Sequence, residues 1–335
     1  MPTYHPALTG AALDAMLETT TTIRPALIEG LLYERSVILL SADAGIGKST
    51  LVANILAQAS VGLPVFNVLY VPKPLLCYYI PFERGSEELR ERLKQMRSVI
   101  PFNTANLCIF ENPDFPCPNL YDPAHQRFLL DSIQQDCPTR PPDVVFYDPI
   151  YQAVAGGLSN EDKVSAFIRF NVQLMTLFGC ATWLNHHTGK TFYAADGQKV
   201  EKDDPYYGSS FLRNHCTGSY YLHAAKDHDG TILDLKKDNL GTLLKRLMLH
   251  YDPETYTSSM KDAFKDLLAV DRLKLALRQF KLKNQSFTFR QLQGCMMGVS
   301  DSRLREILRI PHIKEAIISD KSNPQLTLYL IKGEI

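Results

Sequence analysis

The 335-residue sequence lacks what a membrane protein, a zinc module or a disulfide-stapled scaffold needs. No apolar run reaches the roughly 18 to 20 residues that span a bilayer. The opening Met1-Pro-Thr-Tyr-His-Pro6 has no basic stretch followed by an apolar one. These two absences give the expectation of a soluble, cytoplasmic protein with no membrane partner. Cysteines stand at 77, 108, 117, 137, 180, 216 and 295, with no CxxC pair and too thinly spread for a disulfide framework, so a reducing compartment is expected. Neither sign of charge is in excess: 36 acidic residues balance 36 basic ones, and any attraction to nucleic acid must come from a local face. There is no internal repeat or low-complexity tract.

What the chain does have is alternation. A length of 335 residues favours a large domain plus a small one. Residues 1–24 read as a lead-in segment with a short helical pattern at Leu13 to Leu17. Ser36-Val-Ile-Leu-Leu-Ser41 is a continuous apolar run of strand length, the pattern of a strand buried on both faces of a parallel sheet. Helical periodicity follows from Ser49 to Ala59, and the rhythm repeats. Strand patterns at 75–81, 105–110, 143–148 and 180–185 alternate with helical patterns at 86–100, 123–135 and 161–178. The fold class expected is α/β with a mostly parallel sheet. After Tyr220 the segments at 218–223, 231–236 and 250–254 read as an antiparallel edge, closing a domain over 25–258. In 259–335, a long helical pattern, two short helices near 288–296 and 302–308, and a hairpin at 317–331 predict a winged-helix-like domain.

The chemistry sits at the strand ends. Ala42-Asp-Ala-Gly-Ile-Gly-Lys-Ser49 follows a strand and opens a helix, as a phosphate-binding loop does. Small residues let backbone N–H groups close on phosphate oxygens, and the helix N-terminus faces the anion. Ala44, Gly45, Ile46, Gly47, Lys48, Ser49 and Thr50 are the expected nucleotide contacts, for ATP with Mg²⁺. Lys48 would reach the β- and γ-phosphates, and Ser49 would ligate the metal. Ala42 stands where the pattern usually has glycine, a small-for-small change. Asp148 ends the apolar run Val144 to Tyr147 and can hold Mg²⁺ through water; the alternative is a strand-capping aspartate before Pro149. Glu83, after the strand ending at Pro81, is the candidate general base, with Glu87 and Glu88 as solvent-facing competitors. Asn185-His-His187 ends another strand. Adjacent strand residues point to opposite faces, so the two histidines do not chelate one ion.

Taken together, Ala42 to Thr50, Tyr79-Ile-Pro-Phe-Glu83, Val144 to Asp148, Leu184-Asn-His-His187, Gly208-Ser-Ser210 and Lys237-Asp-Asn-Leu-Gly241 resemble the RepA-type hexameric replicative helicases of plasmids and phages, within the RecA-like ATPases. The resemblance covers roughly residues 25–255. It implies that Lys48 and Ser49 bind nucleotide and magnesium, Glu83 activates water, Asp148 supports Mg²⁺ and His187 senses the γ-phosphate. It also implies a homo-oligomer, a hexamer, in which a neighbour's basic residue completes each site. Lys237 matches the family's lysine. Where the pattern leads one to expect an arginine this chain has Thr217, with Arg213 one helical turn earlier as the substitute.

Single-stranded DNA would pass loops after the motif strands, and Lys190, Lys199 and Lys202 with Tyr193, Tyr206 and Tyr207 give one such loop a basic and aromatic character, mixed with four acids. In the C-terminal segment Arg303, Arg305 and Arg309 are placed to meet phosphates, which would bring duplex DNA as a second partner. The expected function is an ATP-hydrolysing DNA motor. A RecA-like recombination or annealing ATPase and an ATP-switched DNA-binding regulator are the alternatives.

Overall fold

The computed structural model describes residues 9–19, 24–82, 87–102, 104–112, 117–155, 157–188, 210–225, 230–260, 273, 276–277, 286–295, 300–309, 313–314, 317–323 and 326–331. A helix α1 (Ala11–Thr19) precedes a short antiparallel ribbon, β1 (Ala26–Ile28) with β2 (Leu32–Tyr33). The expected run becomes β3 (Val37–Ala42), followed by α2 (Lys48–Ala59), β4 (Cys77–Pro81), α3 (Glu87–Met96), β5 (Leu107–Ile109), α4 (Pro123–Asp136) and β6 (Val144–Asp148). Then come α5 (Ile150–Ala153), α6 (Glu161–Phe178), β7 (Ala181–His187), α7 (Ser210–His215), β8 (Gly218–Ala224), β9 (Thr231–Asp238), β10 (Arg246–Asp252) and β11 (Thr257–Ser259).

Nine of these strands form one sheet in the order β11-β10-β9-β8-β3-β7-β6-β4-β5. From β5 to β8 every pairing is parallel, and from β8 to β11 every pairing is antiparallel. All six residues of β3 are buried, because both of its faces are covered. Ile38, Leu40 and Ala42 face a core shared with α2 and α3, while Val37 and Leu39 face a second core under α4 and α6. Strand periodicity therefore assigns sides: Tyr79, Phe146 and Trp183 lie on the α2 side, and Tyr78, Val145 and Leu184 on the α6 side.

α6 stops and starts on local chemistry. The Asn160 side chain accepts from Lys163 N at 3.0 Å, Glu161 and Asp162 face the positive end of the helix dipole, and Gly179 closes the far end at φ 71°. α2 is almost wholly buried and carries Asn54 with no exposure. Its amide is satisfied at a distance: Nδ2 donates to Thr50 O and Tyr256 O, both at 2.9 Å, and Oδ1 accepts from Ser258 N at 2.7 Å. The helix that opens at the P-loop thereby holds the turn between β10 and β11, where Tyr256 sits at φ 56°.

The C-terminal unit has its own sheet and core. β12 (Phe287–Thr288), β14 (Leu326–Ile331) and β13 (Ile317–Asn323) pair antiparallel in that order, with α8 (Phe289–Cys295) and α9 (Asp301–Ile307) beside Leu273, Leu277 and Ile313. Thr288 and Gln291 cap α8 reciprocally: Gln291 N donates to Thr288 Oγ1 at 3.1 Å and Thr288 N to Gln291 Oε1 at 2.8 Å. The two short helices and the hairpin expected from the sequence are present. Most of the long helical pattern at 260–283 lies outside the described residues. No described helix is long and apolar enough to cross a membrane.

Replacing Asn54 by alanine leaves the Ser258 amide and Tyr256 carbonyl without their buried partner. The expected loss is about 2 kcal/mol, read as a lower urea midpoint, with faster proteolytic cleavage between residues 252 and 257. Unchanged cleavage there would show that the turn does not depend on Asn54.

Candidate functional site

Parallel pairing brings the C-terminal ends of β4, β6, β7, β3 and β8 to one edge of the sheet. The loop after β3 is shaped by two glycines in left-handed conformation, Gly45 at φ 80° and Gly47 at φ 100°. Among the described residues no atom beyond its chain neighbours lies within 4 Å of where a Cβ on either would sit, so the backbone angle, not crowding, requires glycine there. Gly47 caps α2 with no side-chain hydrogen bond. The first-turn N–H groups are thus free of a side-chain cap and directed at an incoming anion.

Lys48 is only 6 % exposed, and its ammonium donates to the carbonyls of Ala42 at 2.9 Å and Asp43 at 3.0 Å. Ser49 and Thr50 are half-buried in the same first turn, Ile46 packs partly on the core, and Ala44 is exposed. The end of β7 is stitched to this loop. Ala42 lies opposite His187, Thr188 N donates to Ala42 O at 3.1 Å, and the Thr188 hydroxyl bonds Asp43 Oδ1. His187 is half-buried on the α2 side, one strand from Lys48, while His186 is buried toward the other core.

Asp148 ends β6 opposite Pro81 of β4 and is 6 % exposed. Tyr79 OH donates to its Oδ2 at 2.8 Å, the one hydrogen bond to this carboxylate among the described residues. Burial first, then the Asp148 charge, raises the Tyr79 phenol well above its ordinary range, so it remains a donor. One step past the Tyr147–Leu184 pair, Asn185 stands beside Asp148. Its Oδ1 accepts from Trp183 Nε1 at 2.9 Å, and its Nδ2 is buried without a partner among the described residues. An orphan buried donor of this kind costs about 1–3 kcal/mol. A hydroxyl at Ser49 and a carboxylate held at one oxygen fit hydrated Mg²⁺, whereas the Asn185 N–H can only donate, to an anion or another acceptor.

The remaining residues singled out in the sequence fall elsewhere. Glu83 lies outside the described residues, although Phe82 N donates to Asp148 O at 2.7 Å and carries the chain past the magnesium candidate. Lys190, Lys199 and Lys202 are also outside. Arg213 is on α7, and Lys237 Nζ donates to the carbonyls of Arg213 at 2.9 Å and Asn214 at 3.0 Å, holding the C-terminus of that helix. Partial burial lowers the Lys237 pKa, Cys216 opposes this and Arg213 reinforces it. Lys237 is level with Ser219 and hence Leu39, three positions short of the edge that carries Lys48. Thr217 is occupied too, its hydroxyl accepting from Val37 N at 2.9 Å and donating to Val37 O at 3.0 Å. Arg303, Arg305 and Arg309 are exposed on and just after α9.

Tyr79, Asn185, Asn54 and Thr188 acquire roles that local pattern does not reveal. Tyr79 and Asn185 become neighbours of Asp148 only through sheet register, and Asn54 finds its partners 202 and 204 residues away. Strand parity gives a partial signal, since 79, 81, 183 and 185 share a side with the loop.

Replacing Tyr79 by phenylalanine removes one hydroxyl and keeps the ring. MgADP affinity measured by calorimetry is expected to fall about fivefold, the worth of one hydrogen bond, while metal-free ADP binding stays unchanged. An equal loss in both titrations would refute a role through Asp148.

A solved ATPase domain shares this architecture, superposing with a TM-score of 0.53 at 11% identity, over 74% of this chain and 95% of that one. The RadB recombinase (TM-score 0.44, 13% identity, 73% and 95% covered) and a KaiC-like protein of Pyrococcus horikoshii OT3 (0.45, 12%, 71% and 95%) are more distant. No curated protein matches the sequence. Residues 5–192, spanning the phosphate loop, Asp148 and His187, match the family described as AAA domain. The chain therefore belongs to the AAA domain family, and its α/β core is that of a RecA-like P-loop ATPase.

Proposed function

We propose that the chain is an ATP-dependent DNA motor, a ring-forming replicative helicase of RepA type that translocates on single-stranded DNA as a homo-oligomer, probed most directly as a hexamer. One observation carries this reading. Lys48, Asp148 and His187 gather at one sheet edge, whereas Lys237 stands level with Leu39, three positions short of that edge, and holds the helix that carries Arg213. Cations so placed serve a neighbour's site, and Lys237 acts by fixing the helix that presents Arg213.

In this mechanism Lys48 exchanges the carbonyls of Ala42 and Asp43 for phosphate oxygens. Ser49 and Asp148 hold Mg²⁺, which when bound neutralises charge on the β- and γ-phosphates. Glu83 orients and deprotonates the attacking water, and His187 loses a contact when the γ-phosphate leaves. Because Thr188 is bonded to both Ala42 and Asp43, loss of that contact is passed on along the chain toward Lys190, Lys199 and Lys202, which meet the strand. Arg213 from the adjacent subunit stabilises the charge of the transition state. The proposed division is a lead-in over 1–24, a motor domain over 25–258 and a winged-helix-like domain over 259–335. Capped α8, α9 and the antiparallel hairpin support the last of these, and Arg303, Arg305 and Arg309 are its DNA contacts.

A second reading is favoured by Thr217. Its hydroxyl is committed to the Val37 backbone where the resembled family supplies an arginine, which fits an ATP-switched DNA-binding regulator with slow turnover. Turnover with saturating single strands separates the two: tight ATP binding with negligible hydrolysis selects the regulator.

Two outcomes follow from the motor reading. Strand displacement by the wild type should require ATP and vanish in Lys48→Ala, and absence of unwinding under every loading condition would refute the helicase. Lys48→Ala and Arg213→Ala subunits, each inactive alone, should recover ATPase when mixed, to about a quarter of the wild-type interfaces for random mixing. No recovery in mixed assemblies would place Arg213 outside the active interface.

A further inference from the structure

The basic residues of α9 do not share one outward face. Arg303 is ion-paired with Glu306 at 2.7 Å. Arg305 turns back over its own fold, its guanidinium 4.2 Å from the centre of the Phe289 ring. With Arg309 and Lys314 it rims a cleft of about 350 Å³ between α8, the end of α9 and the sheet. Behind those cations the cleft is aromatic: Phe289 and Tyr329 line it, with the Tyr329 ring stacked on buried Phe287 at 5.7 Å. Arg305, Arg309 and Lys314 are all exposed, and no carboxylate among the described residues pairs with any of them.

We infer that this cleft is a binding site for single-stranded nucleic acid, taking one unstacked base against the Phe289 and Tyr329 rings and the flanking phosphates on Arg305, Arg309 and Lys314. The volume is at the small end of ligand pockets and suits one planar base rather than a whole drug-sized ligand. Base stacking on aromatic rings combined with a cationic rim is how sequence-tolerant single-strand sites work. A phosphodiester strand also carries an anion next to every base, which matches cations lining the same cleft as the aromatic rings. An acidic peptide supplies the charge without obligatory flat rings, and a duplex keeps its bases stacked and out of reach. The inference rests on the reading of the chain as a DNA-acting protein, yet it does not need the ATPase to turn over.

The test uses the full-length chain and a fluorescent oligothymidylate containing 5-iododeoxyuridine. Ultraviolet crosslinks are expected on peptides containing Phe289 or Tyr329, in wild type and in Lys48→Ala alike, which separates this site from the motor reading. Replacing Arg305, Arg309 and Lys314 together by alanine should weaken binding at least tenfold and flatten the dependence of log affinity on log salt by about 2, from three lost single-strand phosphate contacts. Phe289→Leu keeps an apolar side chain for folding and should lose the crosslink, and Phe289→Tyr should retain it. Crosslinks confined to residues 25–258, equal competition by duplex of the same sequence, or stronger displacement by a glutamate-tyrosine copolymer would each overturn the inference.

Discussion

The Ala42 carbonyl is the point on which the site depends. It accepts from Lys48 Nζ, which sets the ammonium proposed to meet phosphate, and from Thr188 N, which sets the end of β7. The first bond is local to the loop after β3, and the second follows from the parallel register of β3 with β7, in which Ala42 lies opposite His187. A slip of one residue would turn Asp148, Asn185 and His187 toward the α6 side and leave Lys48 facing a strand with no acid beside it. The same register buries every residue of β3 on both faces, so the slip is opposed by core packing on each side of the sheet. Alignment of the strand ends is therefore secured by hydrophobic packing rather than by the polar groups themselves.

Those polar groups are held in an unfinished state. Asp148 has one oxygen bonded to Tyr79, Asn185 has one amide end bonded to Trp183 and the other buried without a partner, and Lys48 rests on backbone carbonyls. Asp148 and Asn185 are each positioned by a bond on one side, and the other end of the Asn185 amide has no partner among the described residues. That is preorganisation: the bonds that fix direction are already made before the charged ligand arrives, so little reorganisation accompanies binding. Stability is sacrificed locally at Asn185, and the buried sheet around it makes up the difference.

Much of this could be read from the residues. The βα alternation, the loop at 42–49 and the strand ends at Asp148 and His187 have local signatures, namely apolar runs of strand length, paired glycines and helical periodicity, and each appears where the periodicity puts it. β7 runs two residues past the expected 180–185, because Ser41 and Ala42 of β3 continue the parallel ladder opposite His186 and His187. The ribbon at 26–33 and α7 were not legible. Leu32–Tyr33 is too short for a period-2 pattern, and the six residues of α7 are stabilised from outside, by Lys237 at its C-terminus and by burial of Leu212. Asn54 illustrates the limit most clearly: a polar residue inside a helical apolar stretch reads as a blemish until a turn about 200 residues later claims both ends of its amide.

The placement of Lys237 changes how a family lysine is to be understood. Read from its motif, it is a cation for a neighbour's phosphate. In the fold its three donors are partly committed to α7, it is partly buried, and that burial lowers its affinity for a proton, all of which suit a structural ammonium better than a mobile finger. Arg213 is complementary to it: it lies on the helix so fixed, and a guanidinium offers a planar fork of donors where an ammonium offers a point charge. If the two cations act on one interface, they do so in series, with the lysine setting the angle of the helix and the arginine reaching across. Thr217 completes this division, since tying the residue before β8 to Val37 fixes the other end of the segment that α7 must hold rigid.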